Sequence, residues 1–70
     1  MTKVTLNRKI SPRVFNGHPW VFGNEVNRVE GNAAAGSIAD VYLHDNKFLG
    51  RGYFNPQSQI QVRILTRNKN

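Results

Sequence analysis

The chain predicts a mainly β fold, a small and partly closed barrel of about five short strands with one short helix. Short segments alternate apolar and polar residues with the period of a strand. Pairs rich in Gly, Pro, Asn and Asp separate them. The helix-start signal at Ser11-Pro12 is soon followed by a stop at Asn16-Gly17, which leaves room for a single short helix.

Residues 3 to 7 suit a first strand, with Val4 and Leu6 on one face and Thr5 and Asn7 on the other. Ser11 then caps a helix whose first position is Pro12, where a missing N–H costs nothing. The helix holds Arg13, Val14 and Phe15 and ends at Asn16-Gly17, the pair best suited to a left-handed terminus. Gly17 to Asn24 reads as an ordered loop, because Pro19 forces His18 out of helical geometry and Gly17 and Gly23 bracket an apolar knot. Glu25 to Glu30 is a strand in which Val26 and Val29 fall out of strict phase, implying a bend or bulge.

Gly31 to Gly36, with alanines at 33 to 35, is a connection across one end of the fold. Ser37 to His44 turns Ala39, Val41 and Leu43 to the core and Asp40 and Tyr42 away from it. The link Asp45-Asn46 has the length of a tight hairpin turn and requires a positive φ at Asn46, which asparagine tolerates. It leads into the strand Lys47 to Phe54. After the turn Asn55-Pro56-Gln57-Ser58, the last strand points Ile60, Val62 and Ile64 inward, with Gln61, Arg63, Leu65 and then Arg67 outward.

Seventy residues make one domain with a small core, since a fold of this size buries only about 60% of the surface its unfolded chain exposes. A hydrophobic fraction of 39% is enough for a compact unit and too rich for a disordered tail. With no cysteine there is neither a disulfide nor a thiolate metal site, and a cytoplasmic home is the simplest fit. The N-terminus lacks the apolar run of a signal peptide, and no stretch approaches the ~20 apolar residues of a membrane span. The chain reads as the N-terminal part of a longer protein.

Ten Lys and Arg against four Asp and Glu give a net charge of +6, which favours a polyanionic partner over a surface kept basic only for solubility. Arg8, Lys9 and Arg13 fall on or before the helix, and Arg51, Arg63 and Arg67 lie at alternate strand positions. The two patches merge if the helix packs beside those strands. The alternative for any one arginine is a solvated or internally paired charge.

Other residues favour structural roles. Gly50-Arg51-Gly52 lacks the third glycine and the following helix of a dinucleotide fingerprint, so its glycines read as sites of close backbone approach. His18 and His44 have no metal-site spacing, and His18 is expected to serve its loop through a hydrogen bond before any contact to phosphate. Glu25, Glu30, Asp40 and Asp45 are scattered, with no nucleophile in a catalytic context. Trp20 and Phe22 have the chemistry of base-stacking platforms, yet a fold this small is expected to hold Trp20, Phe15 and Phe48 in its core, leaving Tyr53 or Tyr42 exposed.

The segments His18-Pro19-Trp20-Val21-Phe22 and Gly50-Arg51-Gly52-Tyr53-Phe54-Asn55-Pro56-Gln57-Ser58-Gln59-Ile60 carry a resemblance that covers nearly the whole chain. It resembles the N-terminal PUA domain of bacterial class I, S-adenosylmethionine-dependent ribosomal RNA methyltransferases, and most closely those forming 5-methylcytosine in 23S large-subunit RNA. The resemblance implies a PUA pseudo-barrel over residues 1–70 whose RNA-facing surface includes Lys9, Arg13, Gly17 and His18, with Arg51 and Arg63 alongside. Arg8 and Arg67 extend that set by their charge. It also implies that the methyl donor site and the catalytic cysteines belong to a following domain, so this chain alone has no cofactor, metal or catalytic residue. Asn46 stands where the family commonly has glycine, and Asn16-Gly17 where many relatives are basic.

The expected partners are therefore structured ribosomal RNA and the chain's own C-terminal methyltransferase domain, with no membrane. The competing expectations are a scaffold that packs on its catalytic domain or a partner while RNA is contacted elsewhere and, ranked last, a free-standing OB-like single-strand binder with exposed aromatics.

Overall fold

The computed structural model describes residues 2–31 and 34–68. Six strands form one sheet: β1 (Thr2–Leu6), β2 (Trp20–Phe22), β3 (Val26–Glu30), β4 (Ser37–Tyr42), β5 (Phe48–Phe54) and β6 (Ile60–Thr66), with one helix, α1 (Pro12–Phe15), and a 3-10 turn at Gly23–Glu25. Their spatial order is β2-β6-β5-β4-β1-β3. All neighbours are antiparallel except β1 and β4, which run parallel.

Alternation places one set of side chains inside. Val4 and Leu6 of β1, Val21 of β2, Ala39 and Val41 of β4, Phe54 of β5, and Val62 and Ile64 of β6 form the core, closed at one side by Val14 of α1. Removing such aliphatic side chains from water is the main stabilising term available to a chain without disulfides. Four register shifts bend the sheet around this core: β3 carries an extra residue opposite Thr5/Leu6, β5 one opposite Val41/Tyr42, and β6 one at each of its two pairings. Bulges increase local twist, and repeated bulges curl an open sheet into a half-barrel. The bulge in β3 is the one its out-of-phase valines required.

Gly52 makes the β5–β6 contact close. A Cβ at that position would lie 1.8 Å from the Arg63 carbonyl oxygen, so the glycine serves backbone approach, as the strand pattern indicated. Asn46 takes φ 68° in the β4–β5 turn, as the two-residue link demanded. The small-residue connection of 31–36 includes Asn32 and Ala33, which lie outside the described residues.

Two expectations are corrected. Gly17–Asn24 is not loop throughout, because Trp20–Phe22 pairs antiparallel with β6 and adds a sixth strand at the sheet edge. Nor are the large aromatics central: Trp20 is 37% and Phe15 57% exposed. A three-residue strand with Val21 inward must turn Trp20 and Phe22 outward. A one-turn helix that commits Val14 to the core leaves Phe15 on its solvent side. Phe48 is half-buried and packs edge-on against Tyr42, with ring centroids 5.6 Å apart. The core instead takes Phe54 and small aliphatic residues, which fit the narrow interior.

Candidate nucleic-acid interface

The segment between β1 and β2 is held by a short chain of backbone and side-chain bonds. Ser11 caps α1 by accepting the Arg13 N–H at 3.3 Å. The helix ends with the His18 N–H donating to the Arg13 carbonyl at 3.0 Å across Gly17, whose φ of 93° only glycine adopts without strain. His18 serves the turn as expected, its Nδ1 accepting the Trp20 N–H at 3.3 Å.

Glu25 organises the other wall. Its buried carboxylate accepts the Ser11 N–H at 2.7 Å through Oε2 and the Phe22 N–H at 3.0 Å through Oε1, tying the start of α1 to the end of β2. Along the sequence Glu25 is one of four scattered acids. The available signal was its position three residues after Phe22, the spacing at which a glutamate side chain returns to a backbone N–H.

Between these walls lies an open groove of about 600 Å³, bordered by Lys9, Ser11 and Arg13 on one side and by Phe22, Glu25 and Gln59 on the other. The Arg13 guanidinium, braced by Ser11 Oγ at 3.1 Å from Nε, stands 5.7 Å from the Phe22 ring centroid. Arg8 and Lys9 are exposed on the segment leading into the helix.

The predicted residues do not all converge. Arg51 lies across the sheet in an ion pair with Asp40, and the hydrogen bond its Nε–H donates to that carboxylate, ahead of the Coulomb attraction, raises the guanidinium pKa above its ordinary value. Arg67 clamps α1 to the end of β6, Nη1 donating to the Val14 carbonyl at 2.6 Å and Nη2 to the His18 carbonyl at 3.0 Å. Arg63 is exposed on β6 over Trp20. Lys9 and Arg13 border the groove, Arg8 precedes Lys9, and Gly17 and His18 form the turn after α1.

The distribution of acids sharpens this picture. Asp40 pairs with Arg51, Glu30 with Arg28 and Asp45 with Lys47, while Glu25 is committed to two backbone N–H groups. Among the described residues no ion pair involves Arg8, Lys9, Arg13 or Arg63. Lys3 and Arg67 are likewise in no ion pair, but Lys3 lies on β1 and Arg67 is bound to two carbonyls. Four cations thus stand at or beside the α1 groove and the adjoining β2–β6 edge against the single carboxylate of Glu25, an arrangement suited to phosphate oxygens. No cluster of three or more His, Asp or Glu able to hold a metal occurs among the described residues.

A curled six-stranded sheet with a short helix against one edge and a basic groove beside that helix defines a PUA-like module. The chain belongs to the PUA-like domain family, whose model matches residues 4–67. Its curated relatives include the ribosomal RNA large subunit methyltransferase I of Pseudoalteromonas atlantica, 39% identical over 69 residues that cover 99% of this chain and 18% of the relative. The enzyme of the same name from Shewanella denitrificans is 53% identical over 53 residues, covering 74% of this chain and 13% of the relative. That of Aliivibrio fischeri strain MJ11 is 42% identical over 53 residues, 76% of this chain and 13% of the relative. The chain thus spans only 13 to 18% of the length of these relatives. The family resemblance carried by the two motifs is borne out.

Proposed function

We propose that residues 1–70 are an RNA-binding PUA domain that positions large-subunit ribosomal RNA for a methyltransferase domain elsewhere in a longer, cytoplasmic polypeptide. The observation that supports this reading is the distribution of charge among the described residues: Asp40, Asp45 and Glu30 pair with cations away from the groove, Glu25 at its wall is held by two backbone N–H groups, and Arg8, Lys9, Arg13 and Arg63 are in no ion pair. The names of the relatives support ribosomal RNA as that partner. S-adenosylmethionine belongs, on this proposal, to the methyltransferase domain, and this chain contributes binding without chemistry. No helix of the described residues is long and apolar enough to cross a membrane.

Lys9 and Arg13 would grip phosphates along the groove, and Arg8 would extend the track. Recognition of folded RNA then follows backbone shape more than sequence, because side chains cannot read the deep major groove of A-form RNA.

A second reading rests on Phe15 and Leu65, which are 57% and 61% exposed and suit a contact with another domain. The two readings separate under charge reversal. Fluorescence anisotropy with a folded large-subunit RNA fragment at low salt should show binding by the chain and its loss in Lys9→Glu/Arg13→Glu. Equal binding by both proteins would remove Lys9 and Arg13 from the interface, and none by the parent chain would rule out the RNA proposal and leave the docking role.

A further inference from the structure

The outer face at the β2 end of the sheet carries a feature that the α1 groove does not explain. Strand register sets four outward residues side by side: Trp20 of β2 faces Arg63 of β6, Arg63 faces Tyr53 of β5, and Tyr53 faces Ile38 of β4. All four are exposed, Trp20 at 37%, Tyr53 at 51% and Ile38 at 39%. A small domain that leaves its one tryptophan and a tyrosine on the same open row presents large apolar rings to a partner.

The neighbouring outward row behaves differently. Arg51 of β5, Asp40 of β4, Lys3 of β1 and Glu30 of β3 stand opposite one another in register, so cations and acids alternate across those strands. The Trp20 row holds one cation and no acid. The Arg63 guanidinium lies 5.7 Å from the Trp20 ring centroid, and Trp20 meets Phe22 edge-on at 6.4 Å. Phe22 in turn borders the basic groove beneath Arg13, so the row and the groove form one continuous surface.

We propose that Trp20, Arg63 and Tyr53 form a stacking platform for unpaired nucleotides that leave a folded RNA held in the α1 groove. Trp20 and Tyr53 sit on strands two apart, roughly 9–10 Å from each other, with Arg63 between them. The exposed parts of Trp20 and Tyr53 would stack on bases, and Arg63, which lies over Trp20, would turn its guanidinium to the linking phosphate. Bases inside a duplex have no free faces, so the ligand class is single-stranded RNA flanking or bulging from a helix. The positive charge without an acid in the row matches an anionic strand and disfavours an acid-free apolar protein surface. This inference rests on the RNA-binding reading, and its test separates the two.

Trp20 is the sole tryptophan, so its emission reports the platform directly. The probes are one RNA hairpin with a short single-stranded uridine tail and the same hairpin with a blunt end. The tailed RNA should quench Trp20 emission and bind on the order of tenfold more tightly than the blunt one. Trp20→Ala and Tyr53→Ala, with circular dichroism matching the parent, should each erase most of that advantage and leave blunt-hairpin binding in place. Trp20→Phe, which keeps a ring, should restore part of it. Binding of both hairpins with equal affinity and unchanged emission would overturn the platform and keep the groove. Failure of both hairpins to bind at low salt would overturn the groove reading and the platform with it.

Discussion

Replacing Gly52 by alanine tests whether the β5 glycines serve architecture or ligand approach. The added Cβ would lie 1.8 Å from the Arg63 carbonyl oxygen, 2.6 Å from its carbon and 2.8 Å from the Ile64 Cα, all backbone atoms of β6. Carbon and oxygen in contact normally sit at least roughly 3.3 Å apart, so β6 must move by well over an ångström. That displacement breaks ladder hydrogen bonds worth about 1 kcal/mol each and adds an overpacking cost of about 1–3 kcal/mol. A loss of about 3–5 kcal/mol is expected, comparable to the whole stability of a domain this small. The control is Gly36→Ala, where the Cβ meets nothing within 4 Å and the cost is the strain of φ 83°, about 1–2 kcal/mol. Thermal unfolding followed by circular dichroism should leave Gly52→Ala largely unfolded near room temperature and lower the Tm of Gly36→Ala by roughly 5–15 °C. Equal midpoints for the two variants, or a parent-like Gly52→Ala, would refute the close approach of β5 and β6.

Other perturbations probe the site. Glu25→Ala strands the Ser11 and Phe22 N–H groups and should cost about 2–3 kcal/mol in urea unfolding, although Glu25 belongs to no ion pair among the described residues. Arg67→Ala removes two bonds to the carbonyls of Val14 and His18 and should lower stability by about 1–2 kcal/mol; an unchanged Tm accompanied by weaker RNA binding would assign Arg67 to the interface. Val62→Ala, in the core, should cost about 2 kcal/mol, whereas Leu65→Ala should cost less than about 1 kcal/mol because that side chain is 61% exposed. The reverse order in chemical denaturation would contradict the inward and outward faces assigned to β6.

Features set by local chemistry were legible in the residues. Ser11-Pro12 and Asn16-Gly17 bounded α1 because caps act within a few residues, and Asn46 marked its turn because a two-residue hairpin forces positive φ. The inward sets of β1, β4 and β6 followed from period-two alternation. β2 did not, since three residues between Pro19 and Gly23 show no period and become a strand only by pairing with β6, some forty residues away in sequence. The exposure of Trp20 follows from that same pairing and was hidden with it. The basic set was visible as composition, but its division was not. Arg51 faces Asp40 through the β4–β5 register, and Arg67 reaches back to α1, two consequences of tertiary placement. Glu25 was hidden for a related reason, since its partners Ser11 and Phe22 meet only when α1 folds against the end of β2.

The claim that matters most is that unpaired cations at the α1 groove neutralise RNA phosphates. The most direct measurement is the salt dependence of Kd for a folded large-subunit RNA fragment, compared between the parent chain and Arg8→Ala/Lys9→Ala/Arg13→Ala. Each lost phosphate contact should reduce the slope of log K against log salt by about 1, so the triple variant should be flatter by about 2–3. An unchanged slope in the triple variant, with the slope falling instead in Arg51→Ala, would contradict the account.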